Sequence, residues 1–268
     1  MGCNSWFIWN GIHSKEMNLI IESLPAPSKP EERFTEYIVP GRSGKLHQVE
    51  NTFETDIKPV GIYYEGTNFD EIFNWLRGYG TITFGNQPDR YYKAHMFNKI
   101  PLECILPILH KGMISFECQP FGYLKNESNI FKIIDHKLTR NSKSINPLES
   151  LNYNGGTVYK ENESIEVYEY LEDRKIVINN TGTIYSEPTI TIQGNGDIKL
   201  YINAETIKLK NVEDKITMNS EMMECYKNTM PCNNKMYGEF PRFEVGENII
   251  TWEGNIKTID IKKNTRFL

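Results

Sequence analysis

The sequence predicts a mainly β protein, with one α-helix packed on a sheet in its first half and a β-sandwich in its second. Three observations lead there. In the C-terminal third, short runs alternate apolar and polar residues: Ile190 and Ile192 with Thr189, Thr191 and Gln193, then Ile198, Leu200 and Ile202 with Lys199, Tyr201 and Asn203. That is the period of a half-buried strand. Asn, Gly and Asp punctuate the runs, as turns require. One stretch of the N-terminal half instead repeats at helical spacing, with Phe69, Ile72, Phe73 and Leu76 at i, i+3, i+4 and i+7.

In chain order, strand-like pieces fall at residues 37–39, 46–49, 60–64, 81–84, 91–97 and 114–119. The helix sits among them, with Asn68 or Asp70 as its cap and Gly78 as its stop. Asp70, Glu71, Asn74 and Arg77 form its wet face. One helix on an antiparallel sheet or barrel fits this order better than a βαβ layout. Residues 125–174 are polar and rich in Asn, Ser and Glu, with Tyr159, Tyr168 and Tyr170 spaced through an acidic run. The domain boundary is placed at residues 123–129, dividing the chain into 1–128 and 129–268.

Beyond the boundary, the Gly194-Asn195-Gly196-Asp197 segment reads as a turn, and Ile207, Leu209, Ile216 and Met218 continue the alternation. Ile250 and Trp252, then Ile259 and Ile261, flank Glu253-Gly254-Asn255 and read as a hairpin closing the sheet. Each such side chain contributes about 1.5–3 kcal/mol when fully buried. The ending Arg266-Phe267-Leu268 reads as packed.

Composition narrows the function. The 268 residues carry a net charge of −5, and 39% are hydrophobic. A sequence-independent nucleic-acid binder needs a basic surface to displace phosphate counterions, so that class is disfavoured. No apolar run reaches membrane-spanning length. The opening Met1-Gly2-Cys3-Asn4-Ser5-Trp6 has no basic segment leading into an apolar one, so no secretory signal is expected, and Trp6 breaks the myristoylation pattern. Five scattered cysteines read as reduced thiols rather than a disulfide framework.

Catalytic motifs are missing. Gly41-Arg42-Ser43-Gly44-Lys45-Leu46 is near a P-loop in spelling, but Leu46 stands where magnesium needs a hydroxyl and Val39 where the first Gly belongs. A tight turn between strands is the better reading. The five histidines show no metal-ligand spacing, and no nucleophile elbow is present. No cofactor is expected. Tyr159, Tyr168, Tyr170, Tyr201, Tyr226 and Tyr237 could stack on sugars, although amphipathic tyrosines also fill sheet rims.

Several segments then match a known pattern in order. They are Asn10-Gly11-Ile12-His13-Ser14, Val39-Pro40-Gly41-Arg42-Ser43-Gly44, Leu76-Arg77-Gly78-Tyr79-Gly80, Pro88-Asp89-Arg90-Tyr91-Tyr92 and Gln119-Pro120-Phe121-Gly122-Tyr123. The second half adds Asn180-Thr181-Gly182, Glu187-Pro188, Gly194-Asn195-Gly196, Ile202-Asn203, residues 216–221, Gly238-Glu239-Phe240-Pro241, and Gly246 through Trp252. This succession resembles the distal tail protein (Dit) family of long-tailed bacteriophages and related tail-like particles. Asn219 departs from the family's usual Asp, and residues 125–174 are longer and more acidic than its pattern.

The resemblance implies a tail-tube-like β-barrel or sheet with one packed α-helix, followed by a galectin-like β-sandwich. It implies a homo-hexameric ring at the virion tail tip, assembled in the host bacterial cytoplasm. Expected partners are the tail tube protein, the tail-tip hub and receptor-binding or baseplate proteins. DNA would pass through without specific binding, and there would be no turnover and no membrane insertion. Ring contacts are expected near residues 41–46 and 50–58 and the first tryptophans, at Trp6, Trp9, Arg42, Lys45, Glu54 and Asp56. The alternative is a carbohydrate-binding module contacting host glycans through Tyr168, Tyr201 and Tyr226. A third reading is a cell-wall hydrolase.

Overall fold

The computed structural model describes residues 5–125, 127–134, 137–145, 157–161, 164–171 and 175–268. The chain divides into two compact units, Met1–Lys125 with Phe267–Leu268, and Asn126–Arg266.

The first unit is an antiparallel sheet with one helix. Its strands are β1 (Phe7–Trp9), β2 (Ile12–His13), β3 (Leu19–Ser23), β4 (Glu32–Tyr37), β5 (Leu46–Phe53), β6 (Asp56–Glu65), β7 (Gly78–Phe84), β8 (Arg90–Met96), β9 (Leu102–Leu106) and β10 (Leu109–Leu124). The main sheet runs β2-β1-β7-β8-β10-β6-β3, with β9 on the start of β10, while β4 and β5 pair only with each other. Alternation sets the buried face: Val60, Ile62 and Tyr64 on β6, Tyr92, Ala94 and Met96 on β8, and Ile114, Phe116 and Cys118 on β10. The ring of Phe116 meets Phe7 edge-on at 5.5 Å and Phe84 at 6.2 Å.

Helix α1 (Phe69–Trp75) lies where its period predicts, and buries Ile72 and Leu76 in this core. Three expectations need correction. Phe73, placed on the buried face, is 40% exposed, because it lies at the rim of the apolar stripe whose centre is Ile72 and Leu76. Gly78 does not stop the helix. Leu76 closes it, with its amide donating to the Ile72 carbonyl, and Gly78 opens β7 at φ +77°. Asn68 precedes the helix without a side-chain cap; its side chain donates to Glu71 instead. Two tryptophans clasp the helix end to β1: Trp9 Nε1 donates to the Trp75 carbonyl at 3.0 Å, and Trp75 Nε1 to the Trp9 carbonyl at 3.3 Å.

The second unit has β11 (Ser128–Ile134), β12 (Lys137–Ile145), β13 (Thr157–Glu161), β14 (Ser164–Leu171), β15 (Lys175–Asn180), β16 (Thr189–Ile202), β17 (Glu205–Asn219), β18 (Glu224–Lys227), β19 (Met230–Pro231), β20 (Met236–Tyr237) and β21 (Gly246–Lys262). The order is β13-β14-β12-β11-β21-β16-β17-β18-β19. β15 pairs the first part of β21 and β11 its last part.

The segments read as turns at Gly194–Asp197 and Glu253–Asn255 are not turns. β16 and β21 run straight through them as long strands, bent by β-bulges where the register slips between Asn195 and Lys199. The bend demands glycine. Gly254 sits at φ +106°, and a Cβ there would stand 2.6 Å from the Asp197 carbonyl oxygen. A Cβ on Gly194 would stand 2.4 Å from the Asn255 oxygen. The polar residues of the supposed turns satisfy backbone donors that the bulges free. Asp197 Oδ1 accepts from the Asn211 amide at 3.0 Å, and Asn195 Oδ1 from the Asp214 amide at 3.1 Å. Both halves of each bent strand contribute to one core, from Ile190 and Ile192 to Leu200 and Ile202, and from Ile250 and Trp252 to Ile259 and Ile261.

Candidate functional site

The hairpin β4–β5 stands out in the first unit. Tyr37 pairs with Leu46, Glu36 with His47, Thr35 with Gln48 and Phe34 with Val49. The register slips before Glu32 meets Phe53, and Asn51 takes φ +55° within that stretch. At the tip, Gly41 and Gly44 both have positive φ, and the Arg42 amide donates to the Val39 carbonyl at 3.1 Å. The predicted strand at residues 37–39 therefore ends at Tyr37, and Ile38 and Val39 enter the turn.

Cross-strand polar pairs zip the hairpin. Arg33 grips Glu54 with two hydrogen bonds, at 2.7 and 3.1 Å. Thr35 donates to Glu50 at 2.9 Å, Tyr37 to Gln48 at 3.2 Å, and Lys45 to Glu36. The Lys45 partner holds the Glu36 carboxyl below its ordinary range. Between these pairs lie large apolar side chains in water: Phe34, Tyr37, Ile38, Val39, Leu46 and Val49, with Ile38 77% exposed. At six and eight residues, the strands reach roughly 20–25 Å.

The root is fixed by different chemistry. Lys58, 5% exposed, donates to Asp56 at 2.7 Å, and Ser28 donates to the same carboxylate oxygen. Phe53 meets Phe121 edge-on at 5.7 Å, and Thr55 donates to Glu117 at 3.1 Å.

The structure thus brings Arg42, Lys45 and Glu54 onto one exposed element and puts Asp56 at its anchor rather than its surface. Trp6 is half-buried, its ring 5.3 Å from His13. Trp9 cannot serve as a surface contact, because its side chain is fully buried among Phe7, Phe116 and Trp75. Tyr201 and Tyr226 do not share a groove. Tyr201 pairs with Thr206 and Tyr226 with Thr217, at opposite ends of β17. The Tyr201 hydroxyl is already bound to Glu253 at 2.8 Å, beside the Lys199–Glu253 ion pair. Tyr168 lies on β14, and its side chain, like those of Tyr159 and Tyr170, is outside the described residues.

A second exposed apolar surface had no signal in the sequence. On the face of the main sheet opposite the core, Tyr79 registers with His95, His95 with Glu117, and Glu117 with Ile57. Tyr79 is 77% exposed, and its ring meets those of His95 and Phe97 at 5.6 and 5.1 Å. His95 Nε2 lies 2.9 Å from Glu117. Alternation marks one face of each strand as outward, and only the sheet order shows that these outward aromatics adjoin. Among the described residues, no group of three or more His, Cys, Asp or Glu is placed to hold a metal, and no helix is long and apolar enough to cross a membrane.

No protein-family model matches the sequence, and no curated protein matches it. Solved structures do. The Dit protein (gp 19.1) of SPP1, described as a paradigm of the hub adsorption apparatus in phages infecting Gram-positive bacteria, aligns over 98% of this chain and 99% of its own. The identity is 11% and the TM-score 0.65. A chain of the phage p2 baseplate in its activated conformation with strontium aligns over 97% of this chain and 98% of its own, at 13% identity and a TM-score of 0.47. From its first strand to its last, this chain has the fold of the SPP1 Dit protein.

Proposed function

We propose that the protein is a structural adaptor at the distal end of a phage tail. Six copies form a ring that joins the tail tube to the tail-tip hub and carries the receptor-binding or baseplate proteins. The observation that carries this reading is the β4–β5 hairpin. A two-stranded ribbon is marginal in water by itself, and this one exposes six large apolar side chains. Phe34 and Val49 lie on one face of the ribbon and Tyr37 and Leu46 on the other, and apolar side chains exposed on both faces call for a protein partner. A like copy can supply it: a hairpin that grips its neighbour head-to-tail makes a heterologous contact, which closes into a ring at the right rotation. The SPP1 protein of the same fold belongs to a hub adsorption apparatus, and the ring reading transfers that setting to this chain.

The role is binding, with no reaction to catalyse. A net charge of −5 also suits a conduit, because DNA passing an acidic ring is not held by its phosphates. The protein would be assembled in the host cytoplasm and end in the virion. The test is solution mass by light scattering over a concentration series, with negative-stain images of the same sample. A species near six times 31.2 kDa, about 187 kDa, seen as a ring with a central hole, is the expected result. A monomer that persists when tube and hub proteins are added would overturn the reading.

A further inference from the structure

Strands β18 and β19 bring two thiols together in the core of the second unit. Tyr226 pairs with Pro231 and Lys227 with Met230, so the next step of that register sets Cys225 opposite Cys232. The Cys232 amide donates to the Cys225 carbonyl at 2.7 Å. The two sulfurs are 3.8 Å apart. Directly paired antiparallel residues hold their Cα atoms about 4.5–5.5 Å apart, within the roughly 4.4–6.8 Å that a disulfide spans. Closing the bond takes side-chain rotation and a small approach of the two strands, because facing Cβ atoms about 4.5–5.5 Å apart must come within about 3.5–4.5 Å. Cys225 is fully buried, and Cys232 keeps 9% of its surface in water. The spacing of seven in the sequence gave no hint of this, because only the tight turn between β18 and β19 folds it into a facing pair.

We propose that Cys225 and Cys232 are a covalent modification site, closed into an intramolecular disulfide when the protein meets a small disulfide oxidant. The bond would staple the β18–β19 hairpin shut at the edge of β17. The exchange proceeds in two displacements. The sulfur of Cys232, nearer the surface, attacks one sulfur of the reagent and releases one small thiol. The sulfur of Cys225 then attacks Cys232 in the mixed disulfide and releases the second. Two protein thiols are oxidised, the reagent's S–S bond is reduced, and the two protons leave on the two small thiols. Burial, with Cys232 beside it, pushes the Cys225 thiol up to about 12. The second displacement is therefore the slow one, and it quickens with rising pH. This inference goes beyond the ring reading and does not depend on it.

The test uses the full chain. The native protein is incubated with bis(2-hydroxyethyl) disulfide at mildly alkaline pH, alkylated in denaturant and digested with trypsin. Lys215, Lys227 and Lys235 bracket the two cysteines, so a bridge joins peptide 216–227 to peptide 228–235. The expected result is that linked pair, separated by dithiothreitol and absent from C232S. An unfolding temperature that rises on oxidation and returns on reduction should accompany it. Exposed Cys104 reports that the reagent has acted. Recovery of both peptides unlinked, whether alkylated or capped by the reagent, once Cys104 has fully reacted, would overturn the proposal. The wild-type result suffices even if the variant fails to fold.

Discussion

At the scale of single residues, the positions that carry the resemblance to Dit proteins turn out to hold structure. Gly182 lies where a Cβ would meet the Arg266 carbonyl at 2.3 Å, and Asn180 Oδ1 accepts from the Gly182 amide at 3.0 Å. Asn248, fully buried, ties the 244–248 turn by accepting from the Glu244 amide and donating to the Glu244 and Gly246 carbonyls. Outside those segments, Gly254 combines a positive φ with a close approach, and Gly254→Val should cost about 2–4 kcal/mol, read as a lower urea midpoint, through backbone strain and the clash with Asp197. Trp75→Phe removes the donor to the Trp9 carbonyl and should cost about 1–3 kcal/mol in the same assay. Buried thiols set a pH dependence. Burial raises Cys118 from its ordinary value near 9 to about 12. The folded chain therefore keeps a proton that the unfolded chain loses, so this contribution is whole below about pH 9 and is lost as pH rises toward 12. Urea midpoints should fall between pH 8 and pH 11, and Cys118→Ala should flatten the fall.

At the scale of elements, the hairpin β4–β5 and the main sheet answer to different forces. The sheet is held by burial, and the hairpin by cross-strand polar pairs such as Arg33–Glu54, which are individually weak in water. Exposed side chains contribute little to the fold of the isolated chain, whatever they add to assembly. Ile38→Glu with Val49→Glu should therefore change the unfolding temperature of the monomer by no more than a degree or two. The same pair should convert a 187 kDa species, about six times the chain mass, to one copy in light scattering. A double variant that still assembles would move the ring contact elsewhere, to the Tyr79–Phe97 face first. The Asp56 anchor should behave oppositely. Asp56→Ala leaves the Lys58 ammonium buried without its carboxylate, and should destabilise the chain itself by about 3 kcal/mol in urea unfolding.

At the scale of the whole molecule, two separate cores imply two cooperative units. A calorimetric scan of the full chain should show two transitions. A 126–266 fragment should keep one of them and form no ring, because the hairpin belongs to the first unit. A fragment without a cooperative transition would show that the second core depends on the first.

The sequence by itself determined the features that local periodicity dictates. These are the mainly β class, the place of the helix and the alternating residues of the second core, such as Ile190, Ile192, Leu200 and Ile202. It also determined the lack of catalytic or metal-binding motifs. Period-2 alternation and i, i+3, i+4 spacing are consequences of backbone geometry, so they can be read before any fold is known. Tertiary structure decided the features that depend on where strands lie in space. Gly-Asn-Gly-Asp at 194–197 reads as a turn because turns and bulges demand the same residues, and only the partners of β16 tell them apart. Trp9 could be inside or outside until α1 placed Trp75 over it. Residues 41–46 and 50–58 are expected at the ring contact from the sequence, but only the pairing shows that 32–53 form one hairpin with no further strand beside it among the described residues. The facing of Cys225 and Cys232, like the adjoining of Tyr79 and Phe97, is a property of register. Register is set by long-range pairing and by turn geometry, which no local window of sequence contains.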